Sequence, residues 1–126
     1  MPYYRGRVSE TVAIQLSEDE RALLVRGLYE WGGPTRPTDA LARAMGSENV
    51  AGLLADTKRV AAQLEADEPL TAADWARALI ATEIAFASDY YGSGWDWSVI
   101  AGFDDEETIR RLRQVQRKLI SVARLA

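Results

Sequence analysis

Glu83 sits in an otherwise apolar run, and that setting invites a chemical role. On a helical wheel at about 100° per residue, Trp75, Ala76, Leu79, Ile80, Ile84, Phe86, Ala87, Tyr90 and Tyr91 fill one half of residues 72–91. Glu83 falls near the middle of that arc. Asp74, Arg77 and Ser88 take the opposite side, accompanied by the small Ala81 and Ala85. Enclosing an unpaired carboxylate in hydrocarbon is costly. The expectation is therefore a Glu83 shut off from bulk water. Either it pairs with an Arg or Tyr inside the fold, or it lines a pocket, where it binds a cationic or hydroxylated ligand or acts as a general base.

A second concentration of useful side chains follows at once. Tyr90-Tyr91-Gly92-Ser93-Gly94-Trp95-Asp96-Trp97 holds four aromatic residues in eight, bracketed by Asp89 and carrying Asp96. Tyr and Trp join a large apolar body to a hydrogen-bonding tip, the combination favoured at protein interfaces and on flat ligands. Asp89 and Asp96 add the means to hold a cation or a hydroxyl. The plainer alternative is a segment that folds back and lids the core with its rings, taking Val99, Ile100 and Phe103 inside. The glycines form no phosphate loop, because they follow a helix and lack the Lys and Ser/Thr of that motif.

The third feature is basic. Arg110, Arg113, Arg117 and Arg124 share a narrow arc of the last helix beside Ile109 and Ile120. Leu112, Val115, Leu119, Val122 and Ala126 form a separate apolar seam at spacings of 3 and 4. The Arg arc reads as a solvated, salt-bridged face, with Glu106–Arg110 and Glu107–Arg111 at the favourable i, i+4 spacing. Its other reading is a docking stripe for an acidic surface, including the acidic remainder of another copy.

What is missing narrows the chemistry. The chain has neither His nor Cys, which excludes imidazole acid–base catalysis, thiol nucleophiles and Cys/His zinc sites. No triad, metal spacing or paired-carboxylate motif is present, so neither metal nor cofactor is expected. Fifteen cationic and nineteen acidic side chains give a net charge of −4, an unfavourable balance for non-specific nucleic-acid binding. That charge is polarised: residues 104–126 carry six basic and four acidic groups, the preceding residues nine and fifteen. The start, Met1-Pro2-Tyr3-Tyr4-Arg5, lacks the apolar stretch of a secretory signal. The apolar run around Trp75–Ala87 is too short and too charged to cross a bilayer. A cytoplasmic protein without membrane contact is the expectation, and the Ala/Arg/Gly/Asp-rich usage is that of a high-GC bacterium.

These groups need elements to place them. Apolar residues at 8, 12, 14 and 16 alternate with polar ones and predict a strand over 8–16, paired with Tyr3-Tyr4 or with Trp95–Ile100. Ser17 with Glu20 is a capping box opening a helix over 18–31. Thr38, Ser47 and Thr71 cap helices over 39–45, 48–66 and 72–91, and Asp104 or Asp105 opens the last, over 105–124. The architecture is mainly α: a single domain of 1–126, five helices around the apolar 72–91 helix, and a short N-terminal β element. Thr38–Leu64 has the outline of a helix-turn-helix. Its second helix, however, begins with Glu48, carries Asn49 as its only base-reading candidate and meets cations late, at Lys58 and Arg59.

Three function classes follow. The first is a small cytoplasmic, non-enzymatic interaction protein, of inhibitor or immunity type, engaging a protein partner or another copy. The second is a small-molecule binder or carboxylate-dependent enzyme at Glu83 and the Tyr90–Trp97 segment. The third, a DNA-binding regulator, has the weakest support.

Overall fold

The structure, a computed structural model, describes residues 10–123. Its elements run β1 (Thr11–Val12), α1 (Glu18–Tyr29), α2 (Asp39–Ala44), α3 (Val50–Glu65), β2 (Leu70–Thr71), α4 (Ala72–Ala87), α5 (Trp97–Ala101) and α6 (Asp105–Ala123). The fold is mainly α, with a short two-stranded antiparallel sheet. Among the described residues no helix is long and apolar enough to cross a membrane.

Local chemistry explains most of the boundaries. At Ser17 the reciprocal box is complete: the Glu20 N–H donates to Ser17 Oγ at 3.1 Å, and the Ser17 N–H to Glu20 Oε1 at 2.8 Å. α1 then tightens into a 3₁₀ turn at Glu30–Gly32. Thr38 and Thr71 cap α2 and α4 as expected. Asn49, not Ser47, caps α3, accepting the Gly52 N–H at 2.8 Å, while the Ser47 hydroxyl donates to Asp56 at 2.7 Å. α4 stops at Ala87, short of the expected Tyr91, because Ser88 turns extended. Ten residues after Ala87 the chain forms α5, a helix not foreseen, so the described residues hold six α-helices rather than five.

The strand expectation needs correcting. Only Thr11 and Val12 pair, and their partner is β2, with Thr11 opposite Thr71 and Val12 opposite Leu70. Trp95–Ile100 is helical, and Tyr3-Tyr4 lies outside the described residues. Leu16 nonetheless reaches the core, with Val12 and Ile14 packed against it, which accounts for the alternation. The Trp75 indole N–H donates to the Val12 carbonyl at 2.8 Å and fixes this extended stretch on α4.

α1 and α4 are the central pair, with α3 and α6 packed against both. The face α4 turns inward is its small one, Ala78, Ala81, Thr82 and Ala85, together with Trp75. This reverses the expected orientation. Leu79, Ile84 and Phe86 are only half-buried and Ile80 is exposed. The cause is the opposing residue, Gly27. A Cβ there would lie 2.2 Å from Thr82 Oγ1 and 2.7 Å from Thr82 Cα. The two backbones approach closely because neither presents bulk, and the wide apolar side chains are left to flank the contact. The Thr82 hydroxyl stays satisfied by donating to the Ala78 carbonyl at 2.9 Å.

One ion network ties α3 to the start of α4. Asp74 accepts from Arg59 at 2.9 and 3.1 Å and from Arg77 at 2.6 Å, and Arg77 also donates to the Gly46 carbonyl at 3.0 Å. Arg77, expected on the outer side, is therefore mostly buried. Burial of Asp74 by itself raises its pKa. The hydrogen bonds and charge of Arg59, with the charge of Arg77, outweigh that and hold it below its ordinary value of 3.8.

Two predictions follow from this packing. Gly27→Ala, a substitution that ordinarily favours a helix, lowers unfolding free energy by about 2–3 kcal/mol in urea titrations, since the added methyl has no room. Gly52→Ala in α3, where the nearest atom would be 3.4 Å away, gains up to about 1 kcal/mol. Second, a carboxylate with a depressed folded pKa stabilises above its unfolded pKa and loses that contribution as pH falls through the folded one. Stability measured from pH 6 down to pH 2 falls below about pH 4, and Asp74→Asn makes that decline shallower.

Candidate interaction surface

The segment after α4 is fastened from beneath. The Ser93 N–H donates to the Ala85 carbonyl at 2.8 Å, and the Gly92 N–H to the Ser88 carbonyl at 3.0 Å. Gly92 has to be glycine, because a Cβ there would come within 2.4 Å of the Ile84 carbonyl oxygen. The Ser88 hydroxyl accepts the Tyr91 N–H at 2.9 Å. From the other side the Arg36 N–H donates to the Tyr91 carbonyl at 2.7 Å.

The deepest anchor is Glu30, at the end of α1. Its side chain has no solvent exposure, and it accepts the Ser93 hydroxyl. Arg26 pairs with it at 2.5 Å through Nη2, with a second bond from Nε at 3.2 Å. A buried carboxylate matched by one guanidinium and one hydroxyl meets the condition for burying charge at all. Among the described residues the most deeply enclosed acidic group is thus Glu30, with Glu20 and Asp74 also buried, whereas the sequence pattern points to Glu83. The only trace of Glu30's place in the sequence is an Arg26–Glu30 pair at i, i+4, a spacing common on solvated helices.

Glu83 itself is half-buried and accepts from the Gln116 amide at 2.7 Å, a bridge from α4 to α6. Neither of its expected partners, Arg or Tyr, holds it. The wheel failed because it ranked bulk above the small residues that set the helix contact.

The structure divides the aromatic candidates. Trp97 is fully buried, donating its indole N–H to Thr108 Oγ1 at 2.8 Å and meeting Phe86 edge-on at 5.8 Å. It belongs to the core. Tyr91 is half-buried and packs edge to face with Tyr90 at 4.8 Å. Tyr90, Trp95 and Val99 point outward, 77%, 87% and 85% exposed. Asp89 accepts the Trp95 backbone N–H at 2.5 Å, so its carboxylate holds the main chain that carries Trp95. Asp89, Trp95, Phe86 and Asp105 line an open cleft of about 290 Å³ that excludes Glu83. Asp96 is exposed alongside. Among the described residues no cation pairs with Asp89, Asp96, Asp104 or Asp105.

The basic candidates lie farther along α6. Arg110 is exposed and 4.0 Å from Glu106, Arg113 donates to Gln116 at 3.0 Å, and Arg117 is exposed. Arg124 lies outside the described residues. Arg111 plays a different part, seated 4.4 Å above the Phe103 ring and paired with Glu107 at 3.0 Å. Asn49, the one candidate base reader, has its side-chain oxygen occupied in capping α3.

Ser93→Ala removes the hydroxyl that Glu30 relies on and costs about 1–3 kcal/mol of stability in denaturant titrations. Amide exchange across residues 91–95 accelerates with it. Ser98→Ala, with no such partner, stays within about 0.5 kcal/mol of the wild type. The chain matches no protein-family model, and comparison with curated proteins and with solved structures finds no significant likeness.

Proposed function

We propose that this chain is a small, cytoplasmic, non-enzymatic protein-interaction module of inhibitor or immunity type, whose docking face is built from Tyr90, Trp95 and Val99. One observation carries the reading: among the described residues the three most exposed large apolar side chains fall within ten residues, on a segment pinned by main-chain hydrogen bonds and the buried Ser93–Glu30 contact. A protein that leaves Trp and Tyr in water on a fixed support has the anchors with which interfaces are made, already ordered before a partner arrives. An inhibitor works by occupying a surface, and this arrangement needs no catalytic group to do so. The enzyme reading has less support, since the carboxylate it relied on, Glu83, is held by Gln116 outside the aromatic cleft.

Photo-crosslinking in cells tests the proposal. A p-benzoylphenylalanine replacing Val99 gives one discrete protein adduct, and the same probe at exposed Lys58 on α3 does not. Adding Trp95→Asp to the Val99 probe abolishes the adduct without altering the melting transition, because Trp95 supports nothing in the core. The proposal falls if position 99 yields no adduct, or the same pattern as position 58.

A further inference from the structure

Charge along this chain changes sign abruptly beside the docking face. Residues 78–109 carry seven carboxylates and no Lys or Arg, whereas residues 110–126 carry six cations and no carboxylate. The helix dipole accounts for part of this, since Asp105, Glu106 and Glu107 occupy the first turn of α6. It does not account for Asp89 and Asp96, which lie outside that helix, or for Arg113, which lies in its middle.

The outward face of α6 supplies the complement of the aromatic patch. Ile109 and Ile120, 48% and 51% exposed, stand about three turns apart. Arg113 lies between them and Arg110 and Arg117 run alongside, all three exposed. From Arg110 onward that face carries guanidinium groups, with Asp105 and Glu106 one turn before Ile109, whereas Asp89 and Asp105 line the cleft beside Trp95 and Asp96 is exposed next to it in sequence. The basic stripe therefore suits the acidic patch and is repelled by its own kind. Laying two α6 helices antiparallel, Ile109 against Ile120, would bring Arg110 of each near Arg117 of the other.

We infer that the occupant of the Trp95–Val99 face is a second copy of this chain, presenting the Ile109–Ile120 stripe of its α6. The inference rests on the docking reading above and names its partner. Because two different surfaces meet, one junction leaves each copy with a free face, and association either closes reciprocally into a two-fold pair or continues into rings or open chains.

Sedimentation of the full chain tests it. In about 0.01 M salt the wild-type mass rises with concentration, and in about 1 M salt, where the screening length shrinks roughly tenfold, it returns toward the monomer. A patch variant, Trp95→Ser with Asp105→Asn, and a stripe variant, Arg117→Gln with Ile120→Ser, each weaken association by about 30-fold or more. Mixing the two restores one intact junction and gives a heterodimer that grows no further. All four substituted residues are exposed, and circular dichroism verifies that both variants are folded. A wild type that remains monomeric up to about 1 mM overturns the inference, as does a mixture that forms no heterodimer. If the Val99 crosslink joins the chain to a different protein, the inference falls while the docking proposal stands.

Discussion

The near-contact between Gly27 and Thr82 is the constraint on which the rest of the molecule depends. It lets α1 and α4 meet backbone to backbone, and so decides which face of α4 is inside. With Ala78, Ala81 and Ala85 turned toward α1, the Trp31 indole reaches the Ala81 carbonyl at 3.0 Å. Glu30, the residue before it, is then in place to receive the Ser93 hydroxyl. Rotating α4 to bury its bulkier side would remove these partners together. Helix packing thus sets the electrostatics at the far end of the pair: a carboxylate becomes buried because two small faces fit, and the loop above it is ordered because that carboxylate needs a donor.

Charged groups serve two purposes here. Asp74 and Glu30 are buried and paired, joining elements distant in sequence. The lowered pKa of Asp74 reflects Arg59 and Arg77 overcoming its desolvation. Glu20 follows the same logic, with burial opposed by Lys118 at 2.6 Å, which links α1 to α6. Asp89 and Asp96 do something else. They stay exposed beside the aromatic residues, Asp89 also holding the Trp95 N–H, and the proposed partner surface would meet the field of both.

Much of this was readable in the residues where the physics is local. Ser17 with Glu20, Thr38 and Thr71 each announced a helix start, because a hydroxyl accepting an N–H three residues ahead needs nothing from the rest of the chain. The mainly α character followed from the same signals. Where two cappers lay close, the local argument ran out: Asn49 took the cap because Asp56, a turn and a half into α3, claimed Ser47. α5 was invisible because it opens from a 3₁₀ turn without a capping side chain. The orientation of α4 was misread for a deeper reason. Hydropathy counts how much a residue gains from burial, whereas closest approach between helices is set by residues too small to register. Of the site, the aromatic segment and its two aspartates stood out by composition, but nothing along the chain separated the buried Trp97 from the exposed Trp95.

Gly92, Ser93 and the carboxylate beneath them have one more implication. The shape of the exposed segment is held by main-chain groups and by side chains facing inward, and Tyr90, Trp95, Asp96 and Val99 add little to it beyond their backbone atoms. Folding therefore makes little use of those four side chains, and the docking proposed for them would draw on a set of its own. Side chains at these four positions can be exchanged at little cost to the scaffold that carries them.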